Sequence, residues 1–269
     1  MRRKKLGRSS RTSGSTIALI VLLFVGTVTL GGGIGYFYFQ AQNVTKLDAQ
    51  TLCPLSGPTG QLAILVDKTD PVTIRQLSFA QTKIEDLVEA AAAGTRISLG
   101  VISPDEAVVQ QEYLSICKPP SANEANGLIQ NIAAVDQAYK DGFKAPLDSM
   151  LRSLMVVSEA PSSPIMEDLQ TFLSRIPDTA SVGENKILVI FSNLAQHSGE
   201  LSFYEGGNWT SFSSAGGDQR LARSLSGFEV KLMQIPILEG FQPELEDFWA
   251  RYFDAQGASK IRYERVGDL

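Results

Sequence analysis

Leu62-Ala63-Ile64-Leu65-Val66-Asp67-Lys68-Thr69-Asp70-Pro71 is the stretch on which the fold of this chain turns. Five consecutive apolar residues, bounded by polar ones, read as a strand buried on both faces. The run then breaks into oxygen-bearing side chains at Asp67, Thr69 and Asp70 before a proline. Oxygen donors at the carboxyl end of a buried strand occupy the place where open α/β sheets bind ions and ligands.

Outward from that stretch the pattern alternates. Ile74, Leu77, Ile84, Leu87 and Val88 recur at helical spacing after Pro71, and Gly94 stops the helix. Residues 96–103 alternate as a second strand. Residues 108–117 read as a third, reached by the short turn Pro104-Asp105-Glu106 and therefore antiparallel to its neighbour. Helical patterns follow at 122–140, 146–157 and 163–175, then a β-branched central strand at 187–191. Residues 201–204 and 208–212 flank Glu205-Gly206-Gly207 as a hairpin or irregular excursion. A short helix near 217–225, a strand at 229–235, an amphipathic helix at 243–256 and a strand at 260–266 complete the order. The fold class is α/β, a doubly wound and mostly parallel sheet with one antiparallel edge strand.

The chain begins differently. Arg2, Arg3, Lys4, Lys5, Arg8 and Arg11 precede any acidic residue, and residues 17–39 carry no charge. Twenty-odd apolar residues at about 1.5 Å each span a hydrocarbon core of roughly 30 Å, and Tyr36 to Phe39 close the run as an interfacial belt. The stretch exceeds the h-region of a cleaved signal peptide, usually about 7–15 residues. The expected division is a basic cytoplasmic tail at 1–16, a transmembrane helix at 17–39, a linker at 40–58 and an extracytoplasmic domain at 59–269. Basic flanks stay inside, which places the N-terminus in the cytoplasm and the domain in the periplasm or outside the cell, anchored in a bacterial inner membrane.

After the span, 18 basic residues face 29 acidic ones, a net charge of −11. That balance argues against nucleic-acid binding. The lone histidine, His197, argues against a His-based zinc centre. Asn43-Val44-Thr45 and Asn208-Trp209-Thr210 match glycosylation acceptors, a short motif common by chance.

The element order resembles that of the von Willebrand factor A domain, whose second and third strands form an edge hairpin. In that family a first-strand loop Asp-x-Ser-x-Ser, a later Thr or Ser, and an Asp ending the fourth strand hold a divalent cation. The resemblance covers roughly residues 60–266. Asp67 and Thr69 stand in register with the first loop, Ser163 in Ser162-Ser163-Pro164-Ile165 with the second, and Asn193 where the family has Asp. Pro71 replaces the third hydroxyl. The resemblance implies a partner protein docking at Asp70, Ser162, His197, Tyr204 and Trp209, with Mg²⁺ or another divalent cation at Asp67, Thr69, Ser163 and Asn193. The competing reading is that Asp67 and Thr69 only cap the helix beginning at Pro71.

Cys53 precedes the first strand and Cys117 follows the third, so both fall at the end of the sheet opposite these residues. A gap of about 10 Å, two strand spacings, exceeds direct reach, but the segment around Cys53 can cover it. The expectation is a disulfide; two buried thiols are the alternative.

Two other functions compete with binding. A metal-free structural subunit of a membrane complex fits the same pattern. Residues 187–193 also resemble the second motif of haloacid-dehalogenase phosphatases, with Asp67 as nucleophile. Those enzymes carry a second Asp two residues on, where this chain has Thr69. No Gly-x-Ser-x-Gly elbow is present. The chain is read as a binding module rather than an enzyme.

Overall fold

The computed structural model describes residues 14–42, 44–128, 130–154, 156, 159–177, 179, 182, 185–236 and 242–266. The basic residues at 2–11 and the Asn43 acceptor lie outside the described residues.

Helix α1 (Gly14–Gln42) is 29 residues long with a mean hydropathy of 2.4 in its most apolar window, long and apolar enough to cross a membrane. Its residues are exposed or nearly so.

The rest folds around one six-stranded sheet. Strand β1 (Gly60–Asp67) is buried along its whole length. Helix α2 (Ile74–Ala90) follows, then β2 (Thr95–Ile102), helix α3 (Glu106–Gln111) and β3 (Leu114–Cys117). Helix α4 (Ile132–Ala138), a π-helical turn at Tyr139–Lys144 and α5 (Ala145–Leu154) run on continuously; α6 (Ile165–Arg175) and β4 (Lys186–Ser192) come next. A 3₁₀ turn at Phe203–Glu205, α7 (Trp209–Ser214) and α8 (Gly217–Arg220) precede β5 (Phe228–Gln234), α9 (Gln242–Ala255) and β6 (Lys260–Arg265).

The strand order is β3-β2-β1-β4-β5-β6, parallel except for β3. This is the doubly wound sheet with an antiparallel edge that the sequence pattern predicts. One face carries α2 and α5, whose Ile84, Val88, Leu147 and Leu151 pack on Ile64, Val66 and Phe191. The other carries α6 and α9, whose Leu169, Phe172, Trp249 and Phe253 pack on Leu65, Ile190 and Leu232. Alternation along β1 therefore sends Leu62, Ile64 and Val66 to one layer and Ala63, Leu65 and Asp67 to the other. The close approach of α6 explains Gly100: a Cβ there would meet the Phe172 ring at 2.6 Å.

Three local expectations are corrected. Residues 106–111 are helical, because Asp105 accepts from the Ala107 N–H and Glu106 occupies the first turn; only residues 114–117 are strand. Residues 208–212 form a helix rather than a hairpin arm, with Asn208 and Ser211 exchanging capping-box bonds. Helix α2 starts at Ile74, capped by Thr73 and Gln76, so Asp67 and Thr69 do not cap it.

Cys53 and Cys117 form a disulfide with their Cα atoms 4.7 Å apart. The segment before β1 crosses to the end of β3, where the Cys117 N–H donates to the Thr51 carbonyl and Leu47 pairs with Pro54. Beside the bridge, Lys118 is buried and its ammonium donates to the carbonyls of Val88, Glu89 and Ala91, closing the C-terminus of α2.

Candidate functional site

Asp67 is the last residue of β1, buried on the α6/α9 side of the sheet. Its Oδ1 accepts from the Thr69 N–H at 3.0 Å and the Thr69 hydroxyl at 2.6 Å. Its Oδ2 accepts from Ser192 Oγ at 2.6 Å and Ser163 Oγ at 3.3 Å. Burial pushes this carboxyl above the usual carboxylate range, against the pull of those four hydrogen bonds.

Each partner is placed by a separate device. Thr69 follows from the tight turn after β1, where its carbonyl also accepts from the Ala160 N–H at 3.0 Å. Ser163 sits on the loop opening α6 and exchanges two backbone bonds with His197, at 2.8 and 2.9 Å. Ser192 ends β4, one step beyond the Val66–Phe191 register pair, and shares the sheet face of Asp67. Its Oγ also accepts from the Leu194 N–H at 2.8 Å. Leu194 itself is buried at φ 63°, an uncommon conformation for a branched side chain. The Trp249 indole donates to its carbonyl at 2.9 Å and fixes that turn to α9.

Asn193 differs from the carboxylate that the resemblance places there. Its Oδ1 accepts from the Ala195 N–H at 2.7 Å, which commits the oxygen to the turn. The amide nitrogen is thereby left to hydrogen-bond Asp70. Asp70, half-buried, is pushed up first by burial and then by the negative charge of Asp67; Thr69 and Asn193 pull it down.

Two adjoining hollows open here. One of about 270 Å³ is lined by Thr69, Asp70, Ser162, Ser163, His197 and Tyr204, among others. The second, about 170 Å³, is lined by Asp67, Asp70, Pro71, Val72, Asn193, Tyr204, Ile235 and Pro236. Asp70 and Tyr204 belong to both. Tyr204 is half exposed, its ring meeting His197 edge-on at 5.4 Å. His197 is half-buried, its Nδ1 2.9 Å from Ser202 Oγ, so it supports the Ser163 loop rather than standing free on the surface.

Of the expected site residues, Asp67, Thr69, Ser163 and Asn193 converge at one end of the sheet, with Asp70, Ser162, His197 and Tyr204 around them. Trp209 does not join them. It packs against Phe212 and Phe248, at 6.0 and 5.7 Å between ring centroids, and lines a separate depression with Asp247 and Arg251. Ser192 is the member that residue-type reasoning passes over, because its part depends on the β1–β4 register. Gln196 and Glu167 form a neighbouring half-buried network: Gln196 Nε2 donates to Glu167 at 2.9 Å, and Ser198 Oγ donates to its other oxygen.

Whether these donors suit a divalent cation is a question of charge and acceptor geometry. Hard dications want six or more oxygen ligands, preferably with negative charge. Here Asp67 already accepts four hydrogen bonds, Asn193 turns a donor toward Asp70, and Pro71 contributes no hydroxyl. Among the described residues no group of three or more His, Cys, Asp or Glu is placed to hold a metal. The set does not fit a tightly held Mg²⁺ or Ca²⁺. Nor does Asp67 present a nucleophile, since both its oxygens are occupied and it is buried.

Comparison with known protein families and with characterised proteins finds no match to this chain.

Proposed function

We propose that this chain is a membrane-anchored binding module of von Willebrand A type, docking a protein partner directly on the face at the carboxyl ends of β1 and β4. The observation that carries this reading is the pair of hollows sharing Asp70 and Tyr204, built on a rigidly hydrogen-bonded floor of Asp67, Thr69, Ser163 and Ser192. Ligand sites of open α/β sheets lie at this end, and a half-exposed tyrosine on a braced turn is a favoured interface contact. The strand order and the antiparallel edge support the family reading. The divalent cation of the family is not part of it, because Asn193 offers its nitrogen where a carboxylate would be needed.

In this reading α1 crosses a bacterial inner membrane with the basic residues 2–11 in the cytoplasm and the domain outside. The Cys53–Cys117 bridge suits an oxidising compartment. The net charge of the portion after the span keeps the domain soluble and away from nucleic acid.

Photo-cross-linking in intact cells tests the proposal. A benzoyl-phenylalanine in place of Tyr204 should give one dominant protein adduct. The same group in place of Leu55, also exposed but preceding β1 at the opposite end of the sheet, should not. Equal adducts from both positions, or none from position 204, would favour a purely structural subunit instead.

A further inference from the structure

The shared wall of the two hollows has an unusual electrostatic character. Asp70 has only neutral groups around it: the Asn193 amide, and at 3.3 Å the Thr69 hydroxyl, whose one proton is shared with the nearer Asp67. The charge acting on it is Asp67, of the same sign. The nearest cation in sequence, Lys68, alternates to the other face of the sheet. There its ammonium is committed to both oxygens of Glu112, at 2.9 and 2.8 Å, and to the Ser153 carbonyl at 3.1 Å. None of the ion pairs among the described residues involves Asp70. A carboxylate set between two hollows and held only by neutral groups asks for a cation from outside.

The surroundings state which kind. The same Asn193 nitrogen that disfavours a dication leaves Asp70 free to accept further hydrogen bonds, since a carboxylate has about four acceptor sites. Tyr204, half exposed and touching His197 through its ring, lines both hollows beside it, and Pro71, Val72, Ile235 and Pro236 form an apolar border. A guanidinium fits such a place better than an ammonium: it pairs bidentately with a carboxylate and stacks on an aromatic ring, while its methylene stem covers apolar surface.

We infer that the Asp70–Tyr204 cleft receives an arginine side chain of the partner protein. The family's arrangement is thereby inverted, with the partner supplying the positive charge that a metal ion would otherwise provide. The inference rests on the binding-module reading and adds the chemistry of the docked residue. The negative domain attracts a basic partner surface over distance, and Asp70 sets where its anchor lands.

The test uses the full-length chain in detergent micelles with 3-fluorotyrosine at position 204, read by fluorine NMR. The probes are the peptides acetyl-Ala-Arg-Ala-amide and its citrulline counterpart, which has the same shape without the charge. The arginine peptide should shift the resonance saturably. The citrulline peptide should bind at least about tenfold more weakly, the usual margin for losing a charged hydrogen-bond pair. Asp70→Asn should abolish the selectivity and Asp70→Glu, which keeps the charge, should retain it, with both variants checked for an unchanged unfolding temperature. Equal response to both peptides, no response, or selectivity that survives Asp70→Asn would overturn the inference. A cross-link at position 204 that persists in Asp70→Asn would leave the module reading standing and remove only the arginine.

Discussion

Asp67 organises this protein at the scale of single residues. Four donors from three loops meet on one carboxylate, so its removal leaves three hydroxyls and an amide without their acceptor. Asp67→Ala should therefore destabilise the domain by about 3 kcal/mol, measured by urea unfolding, whether or not any ion is present. Gln234 is the opposite case. It pairs with Ser192 in the β4–β5 register, is 1% exposed, and has no hydrogen-bond partner for either amide atom among the described residues. An unsatisfied buried amide costs free energy, so Gln234→Met should leave stability unchanged or raise it by up to about 1 kcal/mol in the same experiment. The convergence of Asp67, Thr69 and Ser163 was legible because residue type and strand-end position both pointed to it. The orientation of Asn193 was not: which end of an amide faces a cleft is decided by a backbone N–H two residues away, and spacing alone does not reveal it.

Among the elements, strands were easier to read than short helices. The runs at β1 and β4 are apolar on both faces, and this continuity marks central parallel strands, whereas β5 alternates Phe228, Val230 and Leu232 with Glu229 and Lys231. The short helix α3 was hidden by Val108 and Val109, whose β-branched side chains suit a strand, while Asp105 and Glu106 carried a cap signal that reads equally as a turn. At α7 the capping box Asn208-x-x-Ser211 was present in the sequence, but the neighbouring glycines suggested a hairpin more strongly. The disulfide ties two elements whose strands are not adjacent, closing a loop of 64 residues. Replacing both Cys53 and Cys117 by serine should cost about 2–4 kcal/mol by urea unfolding and should loosen β3 first, seen as faster amide exchange at residues 114–117.

For the whole molecule, the balance of buried carboxylates sets the response to pH. Burial pushes Asp168 up to about 7, with Glu167 and Asp67 adding to the rise; Asp67 and Asp70 move in the same direction. A carboxyl raised in the folded state holds a proton there that the unfolded chain has released. Its contribution is complete below the unfolded value near 4 and is lost as pH rises through 7. Asp48 and Glu124, lowered by hydrogen bonds to their own turns, are ionised in both states across this window and do not oppose it. The domain should therefore be more stable at pH 5.5 than at pH 8, by on the order of 1–2 kcal/mol. Asp168→Asn, which keeps an acceptor for the Ser103 N–H, should flatten that slope.

The central claim is that the face around Asp70 binds through its own side chains, without a divalent cation. Its most direct measurement is a thermal-unfolding and calorimetric titration of the full-length chain in detergent with Mg²⁺, Mn²⁺ and Ca²⁺, alongside Asp67→Asn. The account predicts no saturable heat and no shift in unfolding temperature with any of the three ions. A saturable stabilisation that disappears in Asp67→Asn would contradict it and restore a metal-bridged mode of docking.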